Sequence, residues 1–374
     1  MTEDRALGFI PPMRIISTLA LVLTSALLPA QDFDFKGVPA EYAVTFATTS
    51  SRGLKISDSP EAKAFKDRIE KLVAGFDKSG QDSKQMQAAI KNATGLDLES
   101  SDNRYAGGFS VSKEGSFTGG LIVHARHDSA KLAAHAGANN VPTLRAGNTK
   151  GWKAQELIAS LSRELGQAAS NFPAPGQDKP DSQEEFGVFD VDNDTLVVAQ
   201  PKEAARIIGL LKGQGASYAL PAAQRSALTS AGRPYAVISV NAAKLPATPE
   251  LAQSGFVAGL FAMGEKGNEQ VMKVNAVFTS KEKAAPMAMQ AQGMLAMAPM
   301  MLAGDPTKPE TAEEKEMKAL SGEFLAGIQP VEASGNQVTL TAKWDTRKLF
   351  SMIEKVVAIG AAKANEVPQP AIGK

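Results

Sequence analysis

The sequence has no cysteine among its 374 residues. Disulfides, thiolate metal sites, cysteine nucleophiles and a lipid-modified N-terminal cysteine are therefore excluded. An excess of either charge is also missing, because 40 basic side chains stand against 40 acidic ones. Proteins that bind nucleic acid neutralise phosphates with clustered lysine and arginine, and this chain has no such cluster. A composition of 43% apolar and 21% charged residues is that of an ordinary globular protein.

Known catalytic signatures are missing too. The phosphate-binding glycine patterns, the zinc-protease helix motif and the G-x-S-x-G turn do not occur. The tripeptide Ser101-Asp102-Asn103 matches one of three motifs of the penicillin-binding and β-lactamase families, but no Ser-x-x-Lys precedes it and Lys-Thr-Gly is absent. We therefore assign no catalytic residue and expect a protein that is not an enzyme.

An uncharged run near the N-terminus indicates export. Residues 15–28 (IISTLALVLTSALL) follow Arg14 and precede Pro29-Ala30-Gln31. The run is shorter than the ~20 residues that a bilayer-spanning helix needs, so a cleaved signal peptide fits better than a permanent membrane span. We expect cleavage after Ala30, with Met13 as an alternative start, and a mature protein that is periplasmic or secreted.

Three landmarks of the first part of the chain recur in the same order in the second. They are a strand start, a strand that runs into a helix, and a hairpin followed by a helix. The pairs are residues 42–44 and 235–237, 121–133 and 272–284, and 186–212 and 328–358. Hairpins that are followed by helices predict an α+β fold of two similar halves. Each half is expected to be a mostly antiparallel sheet with helices packed on one face.

The predicted boundaries follow from composition and from turn residues. Pro- and Gly-bearing stretches separate the periodic segments, and the end of the chain (VPQPAIGK) is polar and proline-bearing. The expected organisation is a signal peptide at 1–30, a first half at 31–213, a linker at 214–232, a second half at 233–360 and a flexible tail at 361–374.

The three histidines all lie in one short segment, HARHDSAKLAAH. Zinc takes three or four nitrogen, oxygen or sulfur ligands, so His124, His127, Asp128 and His135 form a candidate copper or zinc site. Side chains three apart in a strand point to opposite faces, so the set would converge only at a bulge or a strand end. The alternative is that they are polar residues at the end of a strand.

Asp190, Asp192 and Asp194 have the alternating spacing with which calcium loops begin. The glycine and glutamate that such a loop needs further on are replaced by Thr195 and Pro201. Asp and Asn also favour hairpin turns, so the same residues predict the tip of a hairpin.

Methionines crowd the stretch 287–301 (MAMQAQGMLAMAPMM). Soft sulfur suits Cu(I), and flexible methionine side chains suit an irregular apolar partner. We take Met287, Met289, Met294, Met297 and Met301 as the candidate contact with an envelope protein or a hydrophobic ligand. The alternative is a helix whose methionines are buried against the sheet.

The segments NATGLDL at 92–98 and FDVDNDTLVVAQPKEAARIIGLL at 189–211, together with the export signal, resemble uncharacterised exported bacterial proteins built of duplicated β-α units. The resemblance covers most of residues 35–360. It implies export and architecture, and no activity. The sequence thus favours an exported binding or structural module of the cell envelope, and its alternative is a periplasmic protein that binds copper, zinc or a hydrophobic ligand.

Overall fold

Twelve strands form one sheet in the part of the chain that the structure describes. The computed structural model describes residues 33–49, 60, 63–65, 67–68, 80–98, 100–113, 115–164, 185–302 and 311–366. The strands are β1 (Val44–Thr48), β2 (Arg104–Val111), β3 (Phe117–His124), β4 (Thr143–Ala146), β5 (Thr149–Lys153), β6 (Gly187–Asp192), β7 (Thr195–Ala199), β8 (Arg233–Asn241), β9 (Phe256–Lys266), β10 (Glu269–Phe278), β11 (Glu332–Ser334) and β12 (Gln337–Asp345). In space they run β11-β12-β10-β9-β8-β1-β2-β3-β7-β6-β5-β4.

Helices connect most of these strands. They are α1 (Gly80–Thr94), α2 (Ser129–Ala138), α3 (Ala154–Glu164), α4 (Pro201–Leu211), α5 (Ala222–Thr229), α6 (Pro249–Ser254), α7 (Lys281–Leu302), α8 (Ala312–Ala326) and α9 (Thr346–Glu366). Together with the antiparallel sheet they make the fold α+β, as predicted.

The strand order is mirrored about the central pair of β1 and β8, in which Phe46 lies opposite Ile238. Outward from β1 the strands are β2, β3, β7 and β6, and outward from β8 they are β9, β10, β12 and β11. The hairpins β6–β7 and β11–β12 therefore occupy matching places, with the later strand of each hairpin nearer the centre. All twelve strands belong to one continuous sheet rather than to a separate sheet in each half.

Helices cover both faces of the sheet, so the expectation that they pack on one face is wrong. On β3, Ile122 is buried in the same cluster as Ile207 of α4, whereas its neighbour Val123 is buried with Leu132 of α2. Neighbouring residues in a strand point to opposite faces. The reason is the consecutive apolar residues of β3 and β7, a pattern typical of strands that are buried on both sides.

The packing of α4 shows how the sequence sets the distance between a helix and the sheet. The helix begins with Pro201, whose missing N–H needs no partner in the first turn. Its Ile207 lies over Gly120 of β3, where an added Cβ would come within 2.4 Å of the Ile207 Cδ1 atom. A larger residue at position 120 would therefore force the Ile207 side chain to shift.

Helices occupy part of the expected linker and the start of the expected tail. The stretch 214–232 contains α5, whose Leu228 is 9% exposed and joins the main core cluster. Helix α9 continues beyond residue 360, as far as Glu366. The expected signal peptide at 1–30 and the end of the expected tail at 367–374 lie outside the described residues.

Candidate interaction surface

The base of α7 is fixed to the sheet by small side chains. Ala284 is 0% exposed and Ala288 9% exposed, and both lie in one cluster with Phe278 of β10 and Val338 of β12. At the start of the helix, the Lys283 Nζ donates a hydrogen bond to the backbone oxygen of Gln253 at 2.7 Å. These contacts hold the first turns of the helix in place.

The methionines of α7 point to solvent. We call Met287, Met289, Met294, Met297 and Met300 the methionine surface; their exposed fractions are 37, 70, 61, 52 and 76%. For these five side chains the alternative of burial against the sheet is wrong, because all five are exposed, whereas Ala284 and Ala288 are buried in the cluster with the strands. Met301 also belongs to α7, and its side chain lies outside the described residues.

No charged residue occurs in the sequence from Ala284 to Gly304. A helix that is apolar on most sides is normally buried, and a contiguous exposed apolar patch commonly marks an interaction site. Helix α7 combines a buried alanine contact with exposed methionines on its other sides. The protein thus presents an uncharged, apolar surface to its surroundings.

A groove of about 380 Å³ lies between α7 and α8. Its lining is uncharged throughout and consists of Gln292, Leu295, Ala296, Pro299, Gly322, Leu325, Ala326, Ile328, Gln329 and Pro330. On the α7 side, the Gln292 Oε1 accepts a hydrogen bond from the Val331 backbone N–H at 2.9 Å. Helix α8 begins with a reciprocal cap between Thr311 and Glu314.

The structure separates the members of the candidate metal set. Asp128 caps α2, and its Oδ1 accepts hydrogen bonds from the backbone N–H groups of Ala130 and Lys131 at 3.0 Å. His135 lies on α2, and its Nε2 donates to the Ser160 Oγ at 2.9 Å. Because the Ser160 hydroxyl gives its own proton to a backbone oxygen of α3, it must accept from the histidine.

The other two histidines have contrasting surroundings. Burial lowers the pKa of His124, and the nearby Arg104 lowers it further. Within the described ranges its Nε2 has no hydrogen-bond partner. The His127 Nε2 lies 3.0 Å from the Asp190 Oδ1. Among the described residues, no group of three or more histidine, aspartate or glutamate side chains is placed to hold a metal ion.

The aspartates of the β6–β7 hairpin are engaged in local contacts. The Asp192 Oδ1 accepts from the Asp194 backbone N–H at 2.9 Å, which fixes the turn, and Asp190 contacts His127. The interpretation as a hairpin tip therefore agrees with the geometry.

Sequence reasoning missed a buried polar network beneath α4. The Tyr42 hydroxyl donates to the Glu203 Oε1 at 2.7 Å, and the Arg206 guanidinium lies 3.3 Å from the same oxygen. Burial raises the pKa of Tyr42, and the hydrogen bond and negative charge of Glu203 raise it further. The sequence contains one sign of this network. A glutamate lies within the apolar stripe of α4, where an acidic side chain needs a partner.

Within the described ranges, no helix has the length and apolar character that a membrane crossing requires. No protein-family model matches the sequence, and no curated protein matches it either. Among solved structures, the chain is similar to crystal form I of TP0453, with 9% identity, a TM-score of 0.36, and coverage of 87% of this chain and 98% of that one. It is also similar to crystal form IV of TP0453, with 9% identity, a TM-score of 0.39, and coverage of 86% and 97%. These scores carry no argument about function.

Proposed function

We propose that this protein is an exported, non-catalytic binding module of the cell envelope that uses the methionine surface to contact an apolar surface of a partner protein. The observation that carries the proposal is the exposure of five methionines on an uncharged helix. Methionine is flexible and polarisable, so such a surface adapts to apolar partners of different shapes.

A paired substitution tests this proposal. Met294→Glu with Met297→Glu places two charges on the methionine surface without touching the buried Ala284 and Ala288. We expect a photo-crosslinker at Met289 to give a discrete product in envelope extracts with the parent chain and none with the double variant.

Ile158→Glu is the matched control, because Ile158 is an exposed apolar residue of α3, at 42% exposure. The product should persist in that variant. If the double glutamate variant also keeps the product, or if no discrete product forms with the parent chain, the proposed contact is wrong.

The groove between α7 and α8 supports a second candidate, a small hydrophobic ligand. Its volume of about 380 Å³ lies within the range of ligand pockets, and its lining is uncharged. Ala296→Trp should fill the groove and remove a lipid-sized adduct seen by native mass spectrometry. Met300→Trp, outside the lining, should keep it; an apo mass for the parent chain would remove this candidate.

Export is part of the proposal and rests on the uncharged run at 15–28. N-terminal sequencing of the protein from an envelope fraction should give Gln31 as the first residue. Full-length protein found only in the cytoplasm would contradict export.

We also infer that the chain consists of two similar halves, 31–213 and 233–360. The mirrored strand order about β1 and β8 supports this inference. If the halves are similar, β8 of an isolated second half should pair with β8 of another copy in place of β1. Light scattering would then give twice the mass of the fragment, whereas a folded monomer would argue against two equivalent halves.

A further inference from the structure

The loop between β3 and α2 is held against the tip of the β6–β7 hairpin by backbone hydrogen bonds. The Ala125 N–H donates to the Asp194 oxygen at 3.0 Å, and the His127 N–H donates to the Asn193 oxygen at 2.9 Å. These two bonds extend the pairing of β3 with β7 past the end of the strands. Slow hydrogen exchange of these two amides therefore reports whether the loop and the hairpin are in contact.

The His127 ring contacts both its own loop and the hairpin. Its Nδ1 lies 3.1 Å from the Ala125 backbone oxygen, and its Nε2 lies 3.0 Å from the Asp190 Oδ1. A carbonyl and an ionised carboxylate only accept hydrogen bonds. A neutral imidazole carries one N–H, so both contacts are hydrogen bonds at the same time only when the ring is doubly protonated and positively charged.

Burial increases the cost of a ring nitrogen without a hydrogen-bond partner. The His127 side chain is 0% exposed and that of Asp190 is 14% exposed. A neutral ring would leave a nitrogen lone pair facing an oxygen, and a buried polar group without a partner destabilises the contact. Loss of a single proton would thus weaken the contact between the loop and the hairpin.

The charges around His127 favour the protonated ring. The charged and titratable groups near it are Asp190 and Asp192 of the hairpin, Arg126 and Asp128 of its own loop, and His124 at the end of β3. Burial by itself lowers the pKa of His127, but the hydrogen bonds to Asp190 and Ala125 and the charges of Asp190 and Asp192 outweigh it. The pKa of His127 therefore lies above its ordinary value of 6.5.

We propose that His127 and Asp190 form a pH-operated latch that holds the tip of the β6–β7 hairpin against the loop before α2. The latch is closed below pH 6.5, where the ring is charged whether the contact is open or closed. It loosens as the pH rises through the raised pKa of the closed state, because the closed form then loses the proton it needs.

The latch is independent of the proposed function. It lies on β3, β6 and β7, whereas α7 packs on β10 and β12, on the other side of the central pair. A failure of one proposal therefore leaves the other in place.

Nuclear magnetic resonance on the full chain tests the latch. The nitrogen shifts of the His127 ring should show two protonated nitrogens at about pH 6 and one at about pH 9. Hydrogen exchange of the Ala125 and His127 amides, divided by the intrinsic rate, should speed up with pH by at most tenfold per unit, as expected for one proton. The Tyr218 amide, which donates to the Val38 oxygen on another part of the sheet, should show no such change.

Two variants separate the latch from a general effect of pH. His127→Gln keeps a donor toward Asp190 without a titrating group, so the exchange of the Ala125 amide should lose its pH dependence. His124→Gln removes the neighbouring histidine and should leave that dependence intact. A His127 ring with one protonated nitrogen across pH 5–9 would overturn the proposal; so would an unchanged pH dependence in His127→Gln. If His127→Gln fails to fold, the ring shifts of the parent chain decide the question.

Discussion

Helices α4 and α7 each follow a strand of the same sheet, yet they are used differently. Helix α4 buries Ala204, Ile207 and Ile208 in the main core cluster with residues of the strands. Helix α7 is longer, but its sheet contact rests on small alanines while its methionines are exposed. The apolar residues of α4 thus stabilise the fold, whereas most of those of α7 remain available for a partner.

Shortening one buried side chain at the centre of α4 should have the largest effect on stability. Ile207→Ala removes a side chain that is 1% exposed and that packs over Gly120. Large-to-small changes of this kind cost about 2–5 kcal/mol, because a cavity remains. Urea unfolding should show that loss, and a cost below about 1 kcal/mol would mean that α4 is not part of the stable core.

Tyr42→Phe tests the polar anchor beneath α4. The ring stays in place, but Glu203, which is 8% exposed, loses the hydroxyl that donates to it. We expect a loss of about 1.5–3 kcal/mol in unfolding free energy, the usual contribution of a hydrogen bond to a charged group. A stability equal to that of the parent chain would indicate that water or Arg206 replaces the hydroxyl.

Thr311→Ala tests the start of α8, which lies well before Gly322, the first residue of that helix to line the groove. The Thr311 side chain accepts a hydrogen bond from the Glu314 backbone N–H at 3.1 Å, so its loss should cost about 1 kcal/mol. Hydrogen exchange should rise in the first turn of α8 and stay unchanged in α4. Equal exchange in both helices would show that α8 is held by its packing rather than by its cap.

Met294→Leu with Met297→Leu should have the smallest effect on stability. Both methionines are more than half exposed, and surface substitutions usually change the free energy of unfolding by less than about 0.5 kcal/mol. Partner binding should nevertheless change, because leucine is stiffer than methionine. A stability loss comparable to that of Ile207→Ala would mean that the methionine surface is part of the core.

The elements that the sequence predicts well carry their own local signals. The β6–β7 hairpin has alternating apolar residues around Asp192-Asn193, and α4 starts with Pro201. Strand β9 went unrecognised because its sequence, FVAGLFAMGEK, is apolar at neighbouring positions and contains glycine. The β4–β5 hairpin was missed although Gly147-Asn148 is a turn signal, because its strands are short.

For the candidate functional residues as well, the sequence shows the residues but not their surroundings in the fold. The methionine stretch is visible in the sequence, but its exposure depends on whether another element covers it, which no local pattern states. The histidine cluster is also visible, but His127 contacts Asp190, 63 residues away, and His135 contacts Ser160. Proximity in sequence therefore indicated a shared site where the fold gives each histidine a different partner.

The central pair of β1 and β8 has a consequence for the order of folding. β1 pairs with β2 on one side, but its other edge is completed by β8, which comes from the second half of the chain. Contacts between distant parts of a chain form slowly, because a long loop must close first. Until β8 has formed, the first half presents an open strand edge, and such edges attract other strands. A chain exported before it folds would cross the membrane without that hazard, and a chain cut after residue 213 would keep it for good.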